Sequence, residues 1–126
     1  MAYSTSTPAG QAVKNILDAL PNLIAVAVVD IESGMSLASH SNQDSFNPDT
    51  AAAYNTEVVK QKLKAIKALK LTDETIDDVL ITLTSQLHLL KVVGGGSKFI
   101  YLAVNSRDTN LAIAREVTRS QSELLK

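Results

Sequence analysis

Leu23-Ile24-Ala25-Val26-Ala27-Val28-Val29 is the stretch that decides the fold. All seven residues are apolar, and β-branched side chains stand at Ile24, Val26 and Val28. Successive side chains of a strand point to opposite faces of its sheet, so a strand without a polar alternate position needs cover on both sides. Helices packed above and below one sheet supply that cover.

Upstream of this strand, Val13, Ile16, Leu17 and Leu20 recur at helical spacing and Pro21 stops the pattern, predicting a helix over about residues 10–20. The polar start containing Pro8 and Gly10 is expected to be a flexible N-terminus over residues 1–9, with one domain over residues 10–126. Downstream, Asp30-Ile31-Glu32-Ser33-Gly34 carries turn residues, and residues 35–39 read as the second strand of a hairpin. A polar loop over residues 40–49 follows, with Asn47 or Asp49 as helix cap and Pro48 near the first turn.

Residues 50–71 form the longest helical segment, and Ala52, Val59, Leu63 and Ile66 join Ala51, Tyr54 and Val58 in a broad apolar surface. Three strand-like runs come next, over residues 76–84, 87–93 and 99–104, separated by turns at Ser85-Gln86 and Gly94-Gly95-Gly96-Ser97. The last segment, capped by Ser106 or Asp108, runs through Leu111, Ala114, Val117 and Leu124 as an amphipathic helix. The order α-β-β-α-β-β-β-α predicts an α/β (α+β) fold with a single antiparallel five-stranded sheet and helices on both faces.

Composition narrows the function classes. The 126 residues suffice for one domain with its own core, and 45% hydrophobic with 20% charged residues is ordinary globular usage. A net charge of −1 gives no field that would hold a polyanion, so nucleic acid is not expected as a partner. With no Cys, disulfides, thiolate nucleophiles and Cys-ligated zinc are excluded. No apolar run approaches the roughly 20 residues of a membrane span, and the start lacks the pattern of a signal peptide, so the expectation is a cytoplasmic protein without membrane insertion.

Three stretches resemble the roadblock/LC7 family, and together the likeness runs from about Val13 to Leu124. They are Leu20-Pro21-Asn22-Leu23-Ile24-Ala25-Val26-Ala27-Val28-Val29-Asp30, Ile76-Asp77-Asp78-Val79-Leu80-Ile81-Thr82, and Asn105-Ser106-Arg107-Asp108-Thr109-Asn110-Leu111-Ala112-Ile113-Ala114-Arg115. The family's pattern has Gly after the Leu-Pro pair where this chain has Asn22, a residue that also tolerates left-handed dihedrals. The resemblance implies a roadblock/profilin-like fold and a non-catalytic homodimer whose third strands pair edge to edge beside paired middle helices. It further implies binding to a small Ras-like GTPase whose activity or localisation is modulated, or alternatively an adaptor role of the dynein light chain type without effect on nucleotide turnover. None of the matched motifs is catalytic, so function follows from the fold by analogy alone.

The residues give their own reason to expect a second copy. Both faces of the run from Val79 to Thr84 carry apolar or β-branched side chains, so an open edge there would invite aggregation. Val59, Leu63, Ile66, Val79, Ile81 and Leu83 are the expected dimer contacts. Lys60, Lys62, Lys64, Lys67 and Lys70 fall within eleven residues, and Lys60, Lys64 and Lys67 are the expected surface for an acidic partner. The ordinary role of such a run is a solvated helix face.

Other motifs carry less. Gly94-Gly95-Gly96-Ser97-Lys98 is followed by a strand instead of the helix a phosphate loop needs, and reads as a hairpin turn. Arg107, Arg115 and Arg119 raise the idea of an arginine finger, against which stands an Arg satisfying local carboxylates. His40 and His88 lack metal-ligand spacing, and no G-x-S-x-G elbow occurs, so no metal, no cofactor and no enzymatic activity are expected. The scarcity of aromatic residues, 4%, counts against a small-molecule sensor.

Overall fold

The computed structural model describes residues 3–126. Helix α1 (Pro8–Ala19) is followed by strands β1 (Ala25–Asp30) and β2 (Ser36–Ser41), helix α2 (Pro48–Ala68), strands β3 (Asp78–Thr82), β4 (Gln86–Val93) and β5 (Lys98–Asn105), and helix α3 (Leu111–Gln121). All strand pairs are antiparallel, and the sheet order is β2-β1-β5-β4-β3. The expected order of elements and the five-stranded antiparallel sheet are both found.

Alternation along the two central strands divides the core in two. Val26, Val28, Ile100 and Leu102 face α1 and α3, with Val13 and Ile16 of α1 and Ala114 of α3 in the same cluster. Ala25, Ala27, Val29, Phe99, Tyr101 and Ala103 face α2, against Ala52 and Val59. Every one of these side chains is buried. The seven-residue apolar run is thus covered on both faces, as its lack of a polar side requires.

Helix α1 begins at Pro8, two residues before the sequence pattern suggests. Thr7 Oγ1 accepts from Gly10 N at 3.0 Å, and Pro8 occupies the first helical position, where a missing N–H costs nothing. Thr7 also donates from its backbone N to Ser4 O at 3.3 Å, folding residues 4–7 back against the helix. A Cβ on Gly10 would lie 1.7 Å from Ser4 O, so this glycine is needed for close approach. Of the expected flexible stretch 1–9, residues 4–8 stay exposed, while Ala9 is buried and Tyr3 meets His40 edge-on. Met1 and Ala2 lie outside the described residues.

Two helix caps and one turn are settled by local contacts. Asn47, one of the two expected caps of α2, accepts from Asp49 N and Thr50 N at 2.9 and 3.1 Å. The cap of α3 is Asn110, which accepts from Ala112 N at 2.9 Å, while residues 105–108 are taken up by a turn closed by Asp108 N on Asn105 O. The turn after Pro21 forms without a left-handed residue at Asn22. A Gly is therefore not required there.

The sheet has two edges of different quality. On β2 the register slips between Val28 and Val29 of its neighbour, leaving Leu37 without a partner in β1. Such a bulge bends the strand and spoils it as a template for another chain. β3 pairs with β4 in unbroken register from Asp78–Lys91 to Thr82–Leu87, so its outer row of backbone groups runs straight. Gly10 supplies a test of the Ser4 contact: Gly10→Ala should lose about 1–3 kcal/mol in chemical denaturation because Ser4 must move. A loose N-terminal segment would instead let the substitution gain up to about 1 kcal/mol of helix propensity.

Candidate docking surface

Helix α2 packs mainly over β1 and β2, and the same face of β3 is only partly covered. Val79 and Ile81 on that face are only partly covered, while Leu80 points to the opposite core. Between α2 and β3 runs a cleft of about 620 Å³ lined by Glu57, Val58, Gln61, Lys62, Asp78 and Val79. Residues three and four apart on a helix share a face, so Tyr54, Val58 and Gln61 form one strip along the cleft side of α2. Tyr54 is 76% exposed and Val58 40%, an uncovered apolar strip next to a regular open strand.

One helical turn before Val58, the strip reaches a shallow depression of about 390 Å³ where Phe46, Tyr54, His88 and Tyr101 meet. His88 Nε2 lies 2.8 Å from Gln86 Oε1, and His88 Nδ1 lies 3.4 Å from Tyr101 Oη. With the glutamine oxygen as acceptor, Nε2 donates and Nδ1 is left to accept from the phenol, which is the neutral ring's pattern. Burial lowers the His88 pKa, and burial likewise pushes the Tyr101 phenol up. Both groups are therefore held uncharged beside the cleft.

The expected contact residues divide. Val59 is fully buried against the sheet and belongs to the core, which removes it from any surface; the sequence places it in an apolar band without showing which strip of that band meets the sheet. Leu63 and Ile66 line a separate cleft of about 380 Å³ closed by Thr75 and Ile76 of the same chain. Val79 and Ile81 do lie at the open edge, and Leu83 is 44% exposed just past its end. Tyr54 and Val58 complete the strip, and their spacing with Gln61 is the signal that marks them.

Lys60, Lys64 and Lys67 share the other flank of α2, turned away from the cleft. Lys60 Nζ donates to Glu32 O at 3.3 Å in the β1–β2 turn, fixing the direction of that flank. That turn is itself braced by Asp30, whose carboxylate accepts from Ser33 Oγ at 2.7 Å and is held below the usual carboxylate range by this bond. Lys64 and Lys67 are exposed.

Two of the three arginines are paired with carboxylates. Arg115 forks onto Asp78, with Nε to Oδ2 at 2.9 Å and Nη2 to Oδ1 at 3.1 Å, and Arg119 pairs with Glu116. Lys91 pairs with Asp77, and its ammonium holds that carboxylate below its ordinary range. Gly94–Gly96 forms a 3₁₀ turn in which all three glycines have positive φ, leading directly into β5. Among the described residues no group of three or more His, Asp or Glu side chains could hold a metal ion, and no helix is long and apolar enough to cross a membrane.

No family model matches the sequence, and no curated protein matches it. Solved structures do: the five-stranded antiparallel sheet, the three helices and their order are those of the roadblock/LC7 fold, which is the fold of this chain. It is similar to the roadblock/LC7 domain from Streptomyces avermitilis at 15% identity, covering 90% of each chain with a TM-score of 0.74. The gliding protein MglB from Thermus thermophilus is 18% identical, with 98% of this chain and 92% of that one covered at a TM-score of 0.73. MglC from Myxococcus xanthus is 17% identical, with 94% and 97% covered at a TM-score of 0.61.

The neutral His88 makes stability pH-dependent in one direction. Its folded pKa lies below the ordinary value of 6.5, so the unfolded chain binds the extra proton first and stability falls as pH drops from about 7 to about 5. Urea midpoints over that window should decline in the native protein and decline less in His88→Gln. Equal slopes would show that the ring is not desolvated.

Proposed function

We propose that this chain is a non-catalytic, cytoplasmic homodimer that binds a small Ras-like GTPase and regulates its activity or location. One observation carries the reading: the regular sheet edge, β3, runs beside an uncovered apolar strip of α2 made by Tyr54 and Val58. A second copy placed across a two-fold axis would extend the sheet through β3 and lay its own α2 against that strip, covering both at once. The similar solved structures support a regulatory role by fold, and the GTPase as partner comes from the family resemblance.

The division of α2 into two flanks supports simultaneous binding. The apolar flank would be used by the second copy, while Lys64 and Lys67, with Lys60 at their edge, stay outside the pairing region. Lysines there steer an acidic partner toward the dimer and raise its association rate more than its final affinity.

Val58→Glu should convert the dimer to a folded monomer in sedimentation velocity, with a urea midpoint close to that of the native protein because Val58 is not in the core. A native chain that sediments as a monomer at every accessible concentration would refute the pairing. For the partner, affinity capture from native lysate followed by a nucleotide-hydrolysis assay with the captured GTPase tests regulation. Reversal of Lys60, Lys64 and Lys67 to Glu should slow capture at low salt by about tenfold or more. Capture of a GTPase with hydrolysis unchanged would instead make the protein an adaptor.

A further inference from the structure

β3 is the least supported strand of the sheet. It receives ladder hydrogen bonds from β4 alone, it has five residues, and α2 covers it only in part. Residues 69–77 before it contain no helix or strand, so no regular element leads directly into the strand. A strand of this kind frays, and its residues must be ordered again each time another chain pairs with it.

Two ion pairs hold that start from the protein side. Asp77 meets Lys91 of β4, and Asp78, the first residue of β3, accepts both donors of the Arg115 fork from α3. Planar two-point contacts of this sort fix direction as well as distance. The Asp78 side chain is 13% exposed and Arg115 46%, so the carboxylate sits well inside while the guanidinium bridges to solvent. Asp78 also lines both clefts: one against α3 with Arg115, the other against α2 with Val58 and Val79. Its charge therefore stands at the mouth of the apolar cleft, and Arg115 is what neutralises it.

We propose that Arg115 is a positioning residue for the docking edge: its grip on Asp78 keeps β3 in the geometry that can pair and removes a bare carboxylate from the surface that docking buries. This rests on the reading of β3 as the pairing edge. Apparent affinity falls in proportion to the fraction of molecules in the competent state, so a tenfold loss of ordered β3 raises the dissociation constant tenfold. A buried, unpaired carboxylate would weaken docking further.

The test compares the native full chain with Arg115→Ala, Arg115→Lys and the reversed pair Asp78→Arg/Arg115→Asp. Sedimentation gives the dimer dissociation constant, and amide hydrogen exchange at dilution to monomer gives the order of the β3–β4 hairpin. Arg115→Ala should raise the dissociation constant about tenfold and speed exchange in residues 78–91 by a similar factor, with exchange in β1 and β5 and the urea midpoint nearly unchanged. Arg115→Lys keeps the charge without the fork and should fall between the two. The reversed pair, where it folds, should recover part of the loss. Unchanged exchange in the hairpin after Arg115→Ala, or faster exchange throughout the chain, would overturn the assignment. If the native protein never dimerises, the pairing reading fails, and the hairpin's exchange rate still decides whether Arg115 positions β3.

Discussion

The pairing of β1 with β5 is the interaction on which the other layers depend. Their register, Ala25 opposite Ala103 through Asp30 opposite Lys98, stacks two apolar strands whose alternate residues feed separate cores. Neither strand tolerates water on either face, so the sheet must be sandwiched. The two faces differ in texture. Toward α2 the side chains of β1 are Ala25, Ala27 and Val29, small enough for a helix to approach closely, with Phe99 and Tyr101 filling the space alongside. Toward α1 and α3 the residues are larger aliphatics, Val26, Val28, Ile100 and Leu102, which spread the contact over two helices.

The position of α2 follows from this texture, and the cleft beside β3 follows from the position of α2. A helix seated over the small residues of β1 covers β3 only in part, and Val79 and Ile81 stay partly exposed. Its cleft-side strip, Tyr54 and Val58, then lies beside an open strand, while its lysine flank turns toward the β1–β2 turn through Lys60. One helix thus separates an apolar contact from a charged one. The bulge at Leu37 interrupts the opposite edge, which leaves β3 as the edge with unbroken register.

The fold was legible because its signals are local and periodic: an unbroken apolar run, hairpin turns, and helical spacing that Pro21 ends. Cap residues were less legible where several candidates crowd together. Ser106, Asp108 and Asn110 are all able caps, and the choice falls to Asn110 because Asn105 through Asp108 are used in a turn. The candidate docking surface is legible only in part. Val79, Ile81 and Leu83 stand out because both faces of their run are apolar or β-branched, but Val59 and Val58 are adjacent in a helix whose rotation about its axis is set by the sheet beneath it. Rotation is a tertiary fact, and periodicity alone leaves it open. The Asp78–Arg115 fork joins residues 37 positions apart across two elements, and no local pattern announces it.

Charge at the start of β3 resolves a conflict that any exposed docking strand carries. A straight edge with Val79, Leu80 and Ile81 would pair with any extended chain, and charged residues at an edge discourage that. Free carboxylates at Asp77 and Asp78 would also discourage the intended partner, because burying them unpaired costs several kcal/mol. Internal pairing with Lys91 and Arg115 alters the balance: a chain that does not match the register meets polar groups and an obstructed strand start, whereas one that matches buries an already neutral pair. On the proposed pairing, selectivity comes less from the apolar strip, which any greasy segment could cover, than from the two ion pairs at the start of β3.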